Sequence, residues 1–151
     1  ASLVGIVTGM VAGLATITPA SGFVGPIGAL FIGLMAGVLC HFCVEWVKQK
    51  IQIDDSLDVF AVHGVGGALG TLLTAFFAAA SLGGMGLAEG TTMGSQFGVQ
   101  LLGVVAVLAW SVVVSFIIIK VVGATVGLRI DEEDEIEGLD LVSHGERGYD
   151  M

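Results

Sequence analysis

The chain has 151 residues, of which 55% are hydrophobic and only 13% are charged, with a mean hydropathy of +0.97. A soluble domain of this size needs many charged side chains on its surface, so the composition excludes that class. The net charge of −9 comes mainly from the end of the chain, where 9 of the 14 acidic residues follow residue 130, and it argues against nucleic acid as a partner.

Three long stretches without Asp, Glu, Lys or Arg predict the membrane spans. They cover residues 1–44, 59–88 and 90–119. Since a helix needs about 20 apolar residues to cross a bilayer, the first stretch is long enough for two spans and the others for one each. The sequence therefore predicts an all-α membrane protein with a transmembrane domain over residues 1–126 and an acidic tail over 127–151. The four spans are expected at about 3–20, 27–47, 59–80 and 92–126.

Proline, glycine and threonine predict where the spans end and begin. Pro19 and Pro26 mark a tight connection after the first span, and the run Ser81–Gly86 is expected to break the third helix. Thr91 or Thr92 is a candidate cap for the fourth helix. About 35 helical residues would reach about 52 Å, which exceeds the bilayer core and predicts tilt or a projecting end.

The basic residues predict the orientation of the chain. With four spans, both termini and the second-to-third connection lie on one side, and every Lys and Arg falls on that side. The positive-inside rule then places both termini in the cytoplasm of a multi-pass protein of the plasma or inner membrane. The residues counted are Lys48, Lys50, Lys120, Arg129 and Arg147.

Small residues recur at the spacing that lets membrane helices approach closely. The pairs are Gly9 with Gly13, Gly33 with Gly37, and Gly66 with Gly70. Many close contacts of this kind favour a compact channel or transporter over isolated anchors.

His63 is the most informative side chain because it lies inside an otherwise apolar span. A titratable group at that depth is costly and normally faces a cavity, a pathway or the interior of a bundle. The alternative is a neutral histidine that is hydrogen-bonded between helices. Thr18, before Pro19, has a similar pair of interpretations, since its hydroxyl could face a pathway or bond back to its own helix.

Three acidic residues precede the third span. Asp54 and Asp55 are expected in a solvated turn, and Asp58 could cap the helix, whose N-terminus favours negative charge.

Cys40 and Cys43 flank His41, but a zinc site usually needs four ligands. We therefore expect both thiols to behave as small buried hydrophobes and predict no metal and no cofactor. With no nucleophile–base pair or phosphate loop visible, an enzyme is not expected.

Several stretches resemble the ammonium transporter (Amt/Mep) family, which is related to the Rhesus proteins. They are residues 12–20, 54–67, 127–140 and 143–149, and the similarity runs through essentially the whole chain. The resemblance implies that the four spans are the last four of an eleven-helix transporter fold. It also implies a homotrimer in which each subunit has its own pore between two inverted repeats. The other helices, including the first repeat, would then lie outside this sequence, so that either the sequence is a fragment or another chain supplies the rest of the pore.

The resemblance also implies roles for individual residues. His63 would be the second of twin pore histidines, Val59 would line the pore one turn toward the cytoplasm, and Thr18 would face the outer half. Asp58 matches an acidic position near the inner pore mouth. The expected function is transport of ammonium or ammonia across the lipid bilayer.

For the tail, the resemblance implies an ordered regulatory segment, whereas an acidic run alone is usually solvated and often disordered. A PII signal protein is an expected partner on the cytoplasmic face. The glycines would provide turns, and Arg129 could pair with acidic neighbours. The residues concerned are Gly127, Arg129, Gly138, Asp140, His144, Gly145 and Glu146.

Two other functions stay open at this stage. The chain could belong to an ammonium sensor in which the same fold drives a signalling domain, or it could be a noncatalytic membrane subunit. A longer cytoplasmic domain would indicate a sensor, and the end of the chain soon after the tail motif favours transport.

Overall fold

The structure, a computed structural model, describes residues 2–149, and the regular secondary structure within that range is helical. It divides into two compact units, Ala1–Ala106 and Val107–Met151. Four helices are long and apolar enough to cross a membrane, over Leu3–Ala20, Pro26–Ile51, Phe60–Phe77 and Met93–Thr125. The predicted all-α fold with four candidate spans is therefore confirmed.

The first unit is built on three packed helices. Helix α1 covers Leu3–Ile17 and is extended by a tight 3-10 turn over Thr18–Ala20. Helix α2 covers Pro26–Glu45 and continues as a wider π-helical turn over Trp46–Ile51. Its helical path thus runs four residues beyond the predicted end. A second π-helical turn, Phe60–Val65, leads into α3, Gly66–Phe77.

These three helices pack through stripes of buried, mostly small residues spaced four residues apart. Residues at this spacing lie on one face of a helix, so each stripe forms a smooth contact surface. Cys40, Ala12 and Val62 form a buried cluster where the three helices meet. The buried stripes are Ala12, Thr16 and Ala20 of α1 with its turn, Gly28, Ile32, Ala36 and Cys40 of α2, and Gly66, Gly70 and Thr74 of α3.

Only one of the three predicted glycine pairs makes a close contact within residues 2–149. A Cβ atom at Gly66 would lie 2.6 Å from Thr16 Oγ1, and one at Gly70 would lie 1.8 Å from the Thr16 carbonyl oxygen. By contrast, the pairs in α1 and α2 have open space beside them in this part of the chain. The close approach of α1 and α3 therefore depends on the pair in α3.

The connection after α3 begins with a 3-10 turn over Ala80–Leu82, and Gly83 follows with a φ of +82°. Helix α3 thus ends at Phe77, before the Ser81–Gly86 run that is expected to break it, and the run lies in the connection that follows. Helix α4 covers Met93–Thr125, and its N-terminus is capped by Thr92, whose Oγ1 accepts from the Ser95 N–H at 3.1 Å. At 33 residues it reaches about 50 Å, longer than the roughly 30 Å bilayer core.

The tail forms two short helices, α5 over Glu132–Glu137 and α6 over Leu139–His144. The three glycines predicted to make turns do so, since Gly127, Gly138 and Gly145 have φ values of +83°, +106° and +64°. Arg129 Nη2 contacts both carboxylate oxygens of Glu135 at 2.8 Å, as predicted for an acidic neighbour. The tail is thus locally ordered, although Asp150 and Met151 lie outside the described residues.

Candidate functional site

A groove of about 320 Å³ lies between the first and third spans and brings two of the predicted pathway residues together. Its wall consists of Val11, Leu14, Ala15 and Thr18 from the first span and His63 from the third. The lining is mostly aliphatic, with one imidazole and one hydroxyl. An apolar groove with few polar groups can accommodate a small neutral molecule and offer it hydrogen bonds at defined points.

Each polar group in the groove has a clear local origin. His63 lies on the π-helical turn before α3, where its side chain is exposed rather than wedged between helices. Thr18 Oγ1 donates to the Leu14 carbonyl at 2.7 Å, as expected for a hydroxyl next to a proline. Its lone pairs stay available to accept from a molecule in the groove. Val59 is also exposed, four residues before His63 on the same helical segment.

Asp58 lies in a different cleft from His63. That cleft is lined by α1 and α2, including Gly5, Gly9, Cys40 and His41, and by Val62 on the same segment as Asp58. The Asp58 carboxylate pairs with Lys48, with Nζ 2.7 Å from Oδ1. Of the four predicted pathway residues, the structure therefore groups His63 with Thr18 and sets Asp58 apart.

The helix that carries His63 is capped by Asp55, not by Asp58. The Asp55 carboxylate accepts from the N–H groups of Val59 and Phe60, both at 2.9 Å. Asp58 cannot do the same because it stands directly before Val59 with its backbone in the left-handed region, at a φ of +58°. The sequence prediction of an Asp58 cap is wrong, and Asp55 is more than a solvated turn residue. The sequence feature that could have indicated this cap is Asp55 itself, an acidic residue four positions before Val59.

Replacing Asp55 with Ala should release both capped N–H groups and lower the free energy of unfolding by about 1–2 kcal/mol. Amide hydrogen exchange at Val59 and Phe60 should accelerate. Asp54→Ala is the matched control, since the Asp54 carboxylate accepts from Ser56 Oγ and holds no helix N–H. Equal exchange in both variants would contradict the assigned cap.

The remaining candidate residues are distributed as follows. Cys40 is buried and Cys43 is half-buried, both as free thiols. Within residues 2–149 no group of three or more His, Cys, Asp or Glu side chains is placed to hold a metal ion. In the tail, the Asp140 carbonyl accepts from the Glu146 N–H at 3.0 Å, and His144 ends α6.

Together these features define a multi-pass, all-helical membrane protein with an imidazole on an open, largely apolar groove. A family model described as Ammonium Transporter Family matches residues 1–149, so the chain belongs to that family.

Curated relatives and a solved structure agree with this assignment. The chain is 46% identical over 151 residues to an ammonium transporter of Aquifex aeolicus, with 99% of the chain and 35% of that protein covered. It is 41% identical to an ammonium transporter of Bacillus subtilis, with 98% and 37% covered. A solved structure titled Sensor Amt Protein superposes with a TM-score of 0.84 at 34% identity, with 96% and 35% covered. The chain thus spans about a third of the length of these relatives.

Proposed function

We propose that this chain forms part of a membrane path for ammonium or ammonia and that His63 and Thr18 line the path. The observation that carries the proposal is the shared groove, whose lining combines the exposed His63 imidazole and the Thr18 hydroxyl with aliphatic side chains. Titratable groups are costly inside a membrane, and those that occur there normally face a pathway, a cavity or the interior of a bundle. Membership of the Ammonium Transporter Family supports the choice of substrate.

The mostly aliphatic lining of the groove favours a permeating molecule that is neutral while it is in the groove. Moving a bare ammonium ion through an aliphatic lumen would cost far more than one imidazole and one hydroxyl could offset. Neutral ammonia needs hydrogen bonds only, and a neutral imidazole has one donor and one acceptor. We therefore propose that the ion is deprotonated before the groove, that Val59 lines the path one turn toward the cytoplasm, and that Asp58 lies near its inner end.

The complete path needs more helices than this chain supplies, because the chain covers about a third of its relatives. We propose a homotrimer in which the missing helices close the groove and supply the second histidine. The C-terminus would be cytoplasmic, and the tail would act as a regulatory segment for which a PII signal protein is a candidate partner. The turn glycines of the tail and the Arg129–Glu135 ion pair support the proposal that the tail is an ordered segment.

A second candidate function, ammonium sensing, is favoured by the similarity to the structure titled Sensor Amt Protein. The two functions differ in whether ammonium crosses the membrane, so flux is the discriminating measurement. The complete protein in sealed vesicles should carry an ammonium-evoked current, or an internal pH change, above that of empty vesicles. Saturable ammonium binding without any flux would favour the sensor and reject transport.

A further inference from the structure

A partly buried ion pair between Lys48 and Asp58 lies just before the π-helical turn Phe60–Val65. This turn carries His63 and is called the His63 segment. Lys48, on the last turn of the α2 path, lies 2.7 Å from the Asp58 carboxylate. The Asp58 side chain is only 14% exposed, whereas that of Lys48 is 40% exposed. Among residues 2–149 the buried Oδ1 atom has no hydrogen-bond partner that meets the directional criteria, so the charge of Lys48 compensates it. Removing the lysine would leave a largely buried carboxylate oxygen unpaired, which is strongly unfavourable.

The backbone at Asp58 shows that this position is fixed from several directions. Its φ of +58° lies in the left-handed region, which costs a non-glycine residue about 1–2 kcal/mol. Such a conformation persists only where surrounding contacts hold it. Three contacts do so here: the Lys48 pair, the Asp58 N–H to Asp55 carbonyl bond at 3.2 Å, and the Val62 N–H to Asp58 carbonyl bond at 2.9 Å.

The last of these bonds connects the ion pair to His63. The Asp58 carbonyl begins the helical hydrogen bonding of the segment, and its partner Val62 directly precedes His63. A shift of Asp58 would therefore move the turn on which the imidazole stands. Because Lys48 lies on the π-helical turn Trp46–Ile51 that continues α2, the pair also connects the His63 segment to the second span.

We infer, building on the transport function proposed above, that Lys48 and Asp58 form a positioning pair that sets the placement of His63 in the groove. Lys48 is not among the described residues that line the groove. It acts through Asp58 and the first turn of the His63 segment. In the sequence, Lys48 indicates only the orientation of the chain in the membrane. In this proposal it also affects which of ammonium and methylammonium the transporter favours.

The test uses the complete transporter in sealed vesicles. Lys48→Met keeps most of the aliphatic stem and removes the charge, and Lys50→Met is the matched control on the same π-helical turn. We expect Lys48→Met to lower ammonium flux by about tenfold, since a displacement of about 1 Å at a working group can cost up to about 10²-fold. The ratio of methylammonium to ammonium flux should shift by about threefold or more. Lys48→Arg should restore both quantities.

The flux ratio separates positioning from simple loss of folded protein, because fewer active molecules lower both fluxes equally. Asp58→Asn removes the charge but keeps the shape of the side chain. Asn also tolerates the left-handed backbone region as Asp does. The double variant Lys48→Met with Asp58→Asn should be less impaired than Lys48→Met alone, because no buried charge is left unpaired. An unchanged flux ratio in Lys48→Met, or no rescue by Lys48→Arg, would overturn the inference.

Amide hydrogen exchange gives a second readout that does not depend on transport. In Lys48→Met, the amides of residues 59–64 should exchange faster, while Lys50→Met should leave them unchanged. If the complete protein showed no flux, the proposed function would fail while the exchange data still reported on the ion pair. If His63→Ala impaired transport but Lys48→Met changed neither flux nor exchange, the positioning role alone would fail.

Discussion

Replacing His63 with Ala in the complete protein is expected to abolish selective ammonium transport or reduce it strongly. The groove offers a small polar molecule one imidazole and one hydroxyl among aliphatic side chains. Losing a hydrogen-bond partner in such surroundings costs about 1–3 kcal/mol. If that cost falls at the barrier to permeation, flux drops by about ten- to a hundredfold. The measurement is ammonium-evoked current in sealed vesicles, normalised to the amount of folded protein.

His41→Ala is the matched control for this experiment. His41 is also an exposed histidine on a membrane helix, but it lines the cleft next to Asp58 and not the groove of His63. Its removal should leave flux within about twofold of the unmodified protein, because no groove contact is lost. Unchanged current and selectivity in His63→Ala would contradict the assigned role, as would an equal loss in both variants.

Replacing Gly70 with Ala is expected to disrupt the packing of the first span on the third. The new Cβ would lie 1.8 Å from the Thr16 carbonyl oxygen and 3.4 Å from the Pro19 ring. The first of these contacts is with backbone, so the clash cannot be relieved by turning a side chain, and the two helices must separate. Overpacking typically costs about 1–3 kcal/mol, and a backbone clash should place this variant at or above that range. The free energy of unfolding in detergent checks it.

The control is Gly67→Ala, three residues earlier in the same helix, where an added Cβ meets no atom within 4 Å. There the substitution should be neutral or slightly stabilising, because Ala has the higher helix propensity. Comparable stability of the two variants would show that α1 and α3 do not approach as closely as the structure indicates.

The helices could be predicted from the sequence because a helix that crosses the bilayer core must be a long stretch of mainly apolar, uncharged residues. The turn at Pro19, the Thr92 cap and the turns at the tail glycines could be predicted from local chemistry, whereas the end of α3 lies at Phe77, before the expected break at Ser81–Gly86. The structure continues the second helical path to Ile51 through a π-helical turn, a form that the hydrophobic pattern used for the sequence prediction does not distinguish.

The site was harder to predict because it depends on which faces of the helices meet. His63 and Thr18 were singled out as polar groups in apolar spans, yet their common groove depends on the packing of α1 against α3. Both Asp55 and Asp58 precede the helix, and spacing alone does not show that Asp55 caps it while Asp58 pairs with Lys48. Lys48 was counted for its charge, and its partner ten residues later could not be inferred from spacing alone.

The most direct test of the transport account is an experimental structure of the complete protein that resolves the surroundings of His63. The account predicts a continuous lumen beside the imidazole, bounded by Thr18 on one side and by a second imidazole from another part of the protein. A further helix packed tightly over the groove, with His63 hydrogen-bonded into that interface and no space for a permeating molecule, would contradict it.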